Sequence, residues 1–327
     1  MIILGIETSC DETSASIVRD GKDVLSNIVA SSLTFHRKYG GIVPEIAFRM
    51  QLESITAVVD EAIRKARIKK SGIDLIAVTN GPGLSGSLLV GISFAKTTSL
   101  ALGVPLVGVN HLYAHIYSSF LNGKSITLPF IALVVSGGHT SLFLVEAFNR
   151  IKILGATQDD ACGEAFDKVA KILSLGYPGG PLIERLSGER AGRIRFSCSG
   201  TDDPLDFSFS GIKTAVLYYV RKQAKINNTL RRDIAASFQE AAIKALVEKS
   251  INACKEKGIM RLVVGGGVIM NNRLRDEFLR ATRDEDIKCY FPSKELSMDN
   301  AAMVAGLGYQ LNKAGYVSDL SLSVDLN

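Results

Sequence analysis

The chain has 327 residues, of which 46% are hydrophobic and 22% charged, and its formal net charge is +5. This composition excludes an intrinsically disordered chain, and the length is enough for about two domains with buried cores. Five cysteines without a C-x-x-C pair exclude a disulfide framework and a zinc ribbon, as is typical of a reducing cytosol. The N-terminus has no basic leader and no apolar run is long enough to cross a bilayer, so we expect a cytoplasmic protein that does not enter a membrane.

The first predicted elements are a strand, a polar turn and a second strand in residues 2–18, IILGIETSCDETSASIV. Residues 130–145, FIALVVSGGHTSLFLV, repeat this pattern around a Ser-Gly-Gly-His turn. The remaining apolar patterns predict helices over residues 46–66, 88–102 and 233–257, and strands over residues 74–83, 104–109 and 261–264.

The alternation of strands and helices indicates an α/β fold, and the repeated hairpin indicates a duplicated, two-lobed architecture. We expect a first lobe at residues 1–108, completed by a C-terminal helix at about residues 299–327. The second lobe is expected at residues 109–298, so that one hairpin stands near the head of each lobe.

Three turns rich in glycine or hydroxyl side chains follow predicted strands, at residues 9–13, 136–139 and 265–267. Such turns can present backbone N–H groups to a phosphate, because glycine lets the backbone approach closely. One turn would be weak evidence, but three in similar settings indicate a nucleotide held between two lobes. The P-loop pattern G-x-x-x-x-G-K-[ST] is absent, which disfavours that class of nucleotide site.

His111 and His115 are four residues apart in VNHLYAHIY, so on a helix both point the same way and can reach one metal ion. Two polar residues on one helix face is the commoner explanation of this spacing, and the spacing alone leaves both explanations open. The metalloprotease pattern H-E-x-x-H is not present, because Leu112 follows the first histidine. Asp299, before a small-residue helix in KELSMDNAAM, is a candidate third ligand. Two histidines and one aspartate suit a Lewis-acid metal such as Zn²⁺ or Fe²⁺.

Residues 163–171, GEAFDKVAK, place acidic and basic side chains within two helical turns. This pattern indicates either an ion-paired helix or a carboxylate available to ribose hydroxyls or a substrate amine. Cys10 has no basic neighbour to lower its pKa, which favours a structural role over a nucleophilic one. Basic residues are concentrated at 64–70 and 221–232; solvated helix faces explain them, and a polyanionic partner is also compatible.

Together, the motifs resemble the tRNA N6-adenosine threonylcarbamoyltransferase family, whose bacterial members were formerly called glycoprotease-like or O-sialoglycoprotein endopeptidases. The resemblance runs from residue 3 to about residue 308, and the family's fold is similar to that of actin, sugar kinases and heat-shock ATPases. The matching segments are GIETSCDETS, YGGIVPEIA, GPGLSGSLLVG, HLYAH, VVSGGHT, GEAFDKVAK, YPGGP, DFSFSGIKT, VVGGGV-x-x-NNRLR and MDNAAM.

The resemblance implies roles for individual residues. It implies that His111, His115 and Asp299 bind one divalent metal ion, Fe²⁺ or Zn²⁺. It also implies that a second set of residues contacts the substrate: Val134, Val135, Ser136, Gly137, Gly138, Asp167, Gly180 and Asn272.

The implied reaction transfers a threonylcarbamoyl group from threonylcarbamoyl-AMP to N6 of adenosine 37, in tRNAs that read codons beginning with A, and releases AMP. The adenosine amine is a poor nucleophile because its lone pair is delocalised into the ring, so the acyl donor must be activated. The glycine turns would hold the AMP, and the metal would stabilise oxyanion charge. Asp11 or Glu12 could take the proton from the amine; a solvated turn carboxylate is the other explanation of these two residues.

The implied partners are tRNA, a shorter actin-like paralogue docked on the first lobe, and a small ATPase. Two other functions fit part of the pattern. A metallopeptidase, as in the older family name, would need the missing Glu and a peptide groove. A non-catalytic, actin-like nucleotide-binding partner would be expected to have lost the metal ligands, which this chain keeps.

Overall fold

The computed structural model describes residues 1–123, 125–190, 192–198 and 200–325. The chain divides into two compact units, the first made of Met1–Thr127 and Pro292–Asn327 and the second of Leu128–Phe291.

The first unit is built on a five-stranded sheet in the order β3-β2-β1-β4-β5. Its strands are β1 (Ile2–Glu7), β2 (Glu12–Arg19), β3 (Asp23–Ser31), β4 (Leu75–Gly81) and β5 (Leu106–Asn110). The first three pair antiparallel, whereas β4 and β5 continue the sheet in parallel. The predicted hairpin of residues 2–18 is therefore confirmed, and its turn lies beside the carboxyl end of β1.

Five helices accompany this sheet: α1 (Leu33–His36), α2 (Pro44–Ala66), α3 (Ser85–Leu102), α4 (His111–Tyr117) and α10 (Ala301–Lys313). Small residues bring α10 very close to the strands. A Cβ atom on Gly5 would collide with the Ala301 carbonyl oxygen and with Ala305, and one on Gly308 would collide with Ala77. The start of α10 is thereby fixed over β1 and β4.

The second unit repeats the same sheet topology, with the order β10-β9-β6-β7-β8. Its strands are β6 (Phe130–Val135), β7 (Thr140–Ala147), β8 (Arg150–Ala156), β9 (Arg261–Gly265) and β10 (Lys288–Tyr290). Again three strands pair antiparallel and two continue in parallel. The duplication predicted from the two hairpins is therefore confirmed at the level of topology.

The helices of the second unit are α5 (Cys162–Ile172), α6 (Gly179–Ser187), α7 (Ser210–Arg221), α8 (Asn228–Lys257) and α9 (Asn272–Asp284). They cover a core of apolar side chains that includes Phe166, Phe207, Phe238 and Phe278. The helices predicted at 46–66, 88–102 and 233–257 are all present, each within a few residues of its predicted start.

The units differ from the predicted lobes at two places. Residues 109–127 and 292–298 were assigned to the second lobe from the sequence, but they belong to the first unit. The reason is packing, since α4 follows β5 without a linker and lies against α10. The predicted C-terminal helix ends at Lys313, and the last two residues of that segment, Leu326 and Asn327, lie outside the described residues.

Across the described part of the chain, none of the helices combines the length and the apolar character needed to cross a bilayer.

Candidate functional site

The two histidines lie on α4, which begins directly after β5. Asn110 caps the helix, because its side-chain oxygen accepts the N–H groups of Leu112 at 2.9 Å and Tyr113 at 3.2 Å. His111 and His115 are consequently one turn apart, with ring centroids separated by 4.6 Å, and both are buried.

Asp299 reaches the histidines from the turn that precedes α10. The side-chain oxygen of Asn300 accepts the N–H of Met303 at 3.2 Å, which caps α10. The N–H of Ala301 donates to Ser14 Oγ at 2.9 Å, so the turn is also tied to β2. These contacts hold the Asp299 carboxylate, whose side chain is 20% exposed, beside the two rings.

One nitrogen or oxygen atom of each of the three side chains lies within 4.8 Å of the others. Asp299 Oδ1 is 3.7 Å from His111 Nε2 and 3.0 Å from His115 Nε2. Two ligands on a tetrahedral Zn²⁺ are roughly 3.4 Å apart, because each bond is about 2.1 Å long. His115 is fully buried, and neither of its ring nitrogens has a properly oriented hydrogen bond among the described residues. The three donors therefore fit a borderline-soft divalent metal ion.

The structure adds Glu7 to this group, a residue that the sequence analysis did not single out. It lies at the end of β1 and is fully buried. Its Oε2 is 3.0 Å from His111 Nδ1 and accepts the hydroxyl of Thr79 at 2.6 Å, while Oε1 accepts the N–H of Ser9 at 2.6 Å. Because a carboxylate can only accept, His111 Nδ1 carries the proton and Nε2 is left to bind a metal.

The electrostatics of the centre favour a positive charge. Burial opposes ionisation of His111, but the negative charges of Glu7 and Asp299 outweigh it and raise the pKa of His111 to about 9. Burial likewise disfavours the Glu7 carboxylate, yet its attraction to His111 leaves the pKa of Glu7 below its usual range. A site that stabilises imidazolium in this way also attracts a metal cation, which would compete with the proton for Nε2.

The turn between β1 and β2 carries the acidic residues predicted as proton acceptors. Burial, followed by the charges of Asp299 and Asp11, raises the pKa of Glu12 well above its usual range. The same influences raise the pKa of the Cys10 thiol, which favours the structural role expected for it. The Asp11 side chain is 8% exposed. Because the charges of Asp11 and Asp299 both raise the pKa of Glu12, the three carboxylates form one acidic cluster.

Gln51 of α2 fixes the shape of this turn. Its side-chain nitrogen donates to three backbone carbonyl oxygens, those of Thr8 at 3.3 Å, Cys10 at 2.9 Å and Glu12 at 3.0 Å. The residue is 1% exposed, so water does not compete for these bonds. The positions of Cys10, Asp11 and Glu12 therefore depend on α2 as well as on the two strands.

The second unit contains the residues predicted to contact substrate. Val134 and Val135 end β6 and are fully buried, whereas Gly137 and Gly138 in the following turn are exposed, with open space at their Cα atoms. The carbonyl oxygen of Ser136 accepts the N–H of Gly163 at 3.2 Å. The turn therefore presents free backbone surface while it lies against the start of α5.

Asp167 and Gly180 lie on neighbouring helices. Asp167 Oδ1 accepts the N–H of Gly179 at 2.6 Å, and a Cβ atom on Gly179 would lie 2.6 Å from the Asp167 Cα atom. Gly180 has open space around its Cα atom. Burial is the main cause that raises the pKa of Asp167 to about 6, although the Gly179 N–H acts in the opposite direction and the charge of Glu164 adds to the rise.

Asn272 begins α9 and is joined to α6 through Glu184. The Oε1 atom of Glu184 accepts both the backbone N–H of Asn272 at 2.7 Å and its side-chain nitrogen at 2.9 Å. Glu184 is one helical turn beyond Gly180, so α5, α6 and α9 form a continuous series of contacts. The sequence analysis did not identify Glu184, and only its helical spacing from the YPGGP motif could have suggested it.

The predicted site residues thus fall into two groups, one in each unit. The predicted metal ligands and the acidic pair Asp11 and Glu12 lie in the first unit. The glycine turn, Asp167, Gly180 and Asn272 lie in the second unit and are linked by the contacts above.

Comparison with solved structures supports the predicted fold class. HypF, solved in its phosphate- and nucleotide-bound form, aligns with a TM-score of 0.64 at 14% identity, over 95% of this chain and 55% of HypF. The ROK hexokinase of Thermus thermophilus aligns with a TM-score of 0.53 at 16% identity, over 96% of this chain and all of the hexokinase. At this identity the likeness concerns the fold alone, and it confirms the two-lobed fold shared by actin-like ATPases and sugar kinases.

Comparison with known sequences is more specific. Residues 23–306 match the family described as TsaD, tRNA N6-adenosine threonylcarbamoyltransferase. The enzyme of that name from Dictyoglomus turgidum is 51% identical over 326 residues, covering 99% of this chain and 98% of that protein. The one from Thermosipho africanus is 50% identical over 325 residues, covering 98% of each chain. The chain therefore belongs to the tRNA N6-adenosine threonylcarbamoyltransferase family.

Proposed function

We propose that this protein transfers the threonylcarbamoyl group of threonylcarbamoyl-AMP to N6 of adenosine 37, in tRNAs that read codons beginning with A, and releases AMP. The observation that carries the proposal is the group of His111, His115 and Asp299, whose ligand atoms lie within 4.8 Å of one another in a chain of this family. A chain that had kept the fold but lost the activity would have no reason to keep three metal-binding side chains together.

The same three residues would hold one divalent ion, Fe²⁺ or Zn²⁺. When bound, such an ion supplies Lewis-acid stabilisation of the negative charge that develops on the threonylcarbamoyl group. The side chain of Glu7 would keep the His111 ring in the orientation and tautomer that directs Nε2 at the ion.

The second unit would bind the adenylate. The exposed backbone of Gly137 and Gly138 is suited to the phosphate, because no side chain hinders a close approach. The second oxygen of Asp167 is suited to a ribose hydroxyl, while the first is bonded to Gly179. Gly180 and Asn272, joined through Glu184, would complete the contacts to this part of the substrate.

A carboxylate of the β1–β2 turn would accept the proton that the adenosine amine loses as it attacks the acyl carbon. Glu12 suits this role better than Asp11, because burial and the neighbouring charges make its carboxylate more basic than usual. The pKa of a general base has to lie near the working pH for efficient proton transfer, and a carboxyl group approaches that range only when its pKa is raised.

Two proposals concern the setting of the protein. We expect it to act in the cytoplasm, where tRNA is available. We also expect it to act with a shorter actin-like paralogue docked on the first unit and with a small ATPase, as the family resemblance implies.

The alternatives have less support. For a metallopeptidase, Leu112 stands where the general base would follow the first histidine, and helix α4 buries both histidines. A non-catalytic nucleotide-binding partner would not require the carboxylate of Glu7 behind His111.

Reconstitution tests the proposal directly. The protein is incubated with threonylcarbamoyl-AMP and an unmodified tRNA transcript, with and without the two partner proteins, and the nucleosides are analysed by mass spectrometry. His111→Ala should abolish the product and the bound metal. His36→Ala is the matched control, because His36 is another buried histidine of the first unit and bonds to Ser32 and Val43 instead. A His111→Ala protein that lacks metal but forms product at the normal rate would contradict the metal-dependent mechanism.

A further inference from the structure

The second unit has a surface on which cationic side chains from four segments lie together. It comprises the end of α6, residues 192–198, the end of α7 and the start of α8. We call it the cationic surface and define it by Arg185, Arg193, Arg195, Tyr218, Arg221, Lys222 and Arg232.

Residues 192–198 place two arginines towards solvent. The N–H of Ile194 donates to Ser237 Oγ of α8 at 3.0 Å, and the Phe196 ring packs edge-on against Tyr219 of α7 at 5.8 Å. Ile194 and Phe196 therefore hold the segment against α8 and α7. Arg193 and Arg195 alternate with these inward side chains and are both exposed.

The end of α7 adds an exposed aromatic ring beside positive charges. Tyr218 is 58% exposed, although its neighbour Tyr219 is packed against Phe196. Arg221 and Lys222 follow it by three and four residues, so all three side chains share one face of the helix.

Helices α6 and α8 contribute the remaining cations. Arg185 and Arg232 line one surface cavity together with Leu182, Leu186 and one acidic residue, Glu189. Arg190 lies beside them but is neutralised by Asp233, whose carboxylate is 3.1 Å away. Arg185 and Arg232 thus share one cavity, and neither forms an ion pair with Asp233 or Glu189 among the described residues.

The cationic surface differs from the other basic stretch of the chain, at residues 64–70. There two of the five cations are paired, Arg64 with Glu61 and Lys70 with Asp60, both at 2.7 Å, whereas Lys65, Arg67 and Lys69 have no carboxylate partner among the described residues. By contrast, none of the six cations of the cationic surface has a carboxylate partner within the described residues. Unpaired cations concentrated on one face attract a polyanion, whereas paired ones are largely screened.

We propose that the cationic surface binds the phosphate backbone of the tRNA substrate and that Tyr218 stacks on one of its unpaired bases. The inference rests on the proposed function, since it assigns where the tRNA acceptor is held. Five of the six cations are arginines, and guanidinium groups match phosphate oxygens in a bidentate manner. An exposed tyrosine beside cations favours RNA over an acidic protein, because every base has a face on which an aromatic ring can stack.

The test measures the affinity of the full chain for an unmodified tRNA transcript at several salt concentrations, alone and with the partner proteins. The triple variant Arg193→Gln/Arg195→Gln/Arg221→Gln should bind at least about tenfold more weakly at low salt. Its plot of log affinity against log salt should be flatter by about 2 to 3, because each lost phosphate contact removes about 0.7–0.9 from the slope. Bound metal and unfolding temperature should equal those of the wild type.

Tyr218→Ala provides an independent measurement. It should weaken binding by about tenfold without altering the salt slope, because a stacking contact is lost but no charge is removed. Tyr218→Phe should restore the affinity, since the ring is retained.

The control is Lys65→Gln/Arg67→Gln/Lys69→Gln, which removes the same charge from the other basic stretch and should bind tRNA as the wild type does. If both triple variants weaken binding equally, net charge is responsible and the cationic surface is not the site. If the first triple variant keeps the wild-type affinity and slope, the inference is overturned while the proposed function stands. A wild-type chain that binds no tRNA even with its partners would overturn both.

Discussion

Replacing Glu7 by glutamine should weaken metal binding without removing any metal ligand. In the wild-type chain the Glu7 carboxylate accepts from His111 Nδ1, Thr79 and the N–H of Ser9. Glutamine has nearly the same shape but only one oxygen, so its NH₂ group must face at least one of these donors. The variant therefore loses both a negative charge and one accepted hydrogen bond.

The expected magnitude follows from that loss. Replacing a residue that orients a metal-binding histidine typically costs about 10–100-fold in metal affinity. A hundredfold change corresponds to about 2.7 kcal/mol, which is close to the cost of leaving one buried polar group unsatisfied. Because Glu7 is fully buried, solvent screening should not reduce the effect.

The assay is competition for Zn²⁺ against a fluorescent chelator, together with the visible absorption of the Co²⁺-substituted protein. Glu7→Gln should shift the competition curve and alter the Co²⁺ bands, because the His111 ring is no longer held in one orientation. Ser16→Ala is the control, since Ser16 on the adjacent strand also loses a buried hydrogen bond, to the Ser26 carbonyl, but lies outside the group of ligands. Equal Zn²⁺ affinity for Glu7→Gln and the wild type would refute the reasoning.

Three further predictions concern other parts of the structure. The pKa of Asp167 in the folded chain is raised to about 6, so its ionisation lowers the stability of the fold as the pH rises from about 4 through 6. In urea unfolding, Asp167→Asn should therefore be more stable than the wild type at pH 7.5, by on the order of 1–2 kcal/mol. At pH 4 the two proteins should be equally stable. Gly163→Ala places a Cβ atom 2.5 Å from the carbonyl oxygen of Ser136, in the turn that is proposed to bind the phosphate. Calorimetry should therefore show roughly tenfold weaker binding of AMP to this variant. Gly200→Ala is the control, because its Cβ atom meets nothing within 4 Å and AMP should bind normally. Gln51→Leu should destabilise the first unit by about 1–3 kcal/mol, because one buried and two partly buried carbonyl groups lose the Gln51 donor; an unchanged urea midpoint would contradict this.

Much of the fold could be predicted from local patterns. Alternating apolar residues around small polar turns gave both hairpins, because side chains on a strand alternate between its two faces. The spacing of His111 and His115 likewise placed both rings on one side of α4, which depends only on helix geometry. The predicted lobe boundaries were less accurate, because a strand followed at once by a helix gives no local sign of which sheet the helix packs on.

Local patterns were therefore sufficient to predict the elements, the duplicated topology and the chemical identity of the candidate metal-binding side chains. Only the tertiary structure decided that Asp299 meets the two histidines, because small residues such as Gly5 and Gly308 let α10 lie close against β1 and β4. The contacts of Glu7 also arise at that level, since the parallel pairing of β1 with β4 brings Thr79 beside it. Contacts between residues far apart in the chain depend on how whole elements pack, and no local pattern records that packing.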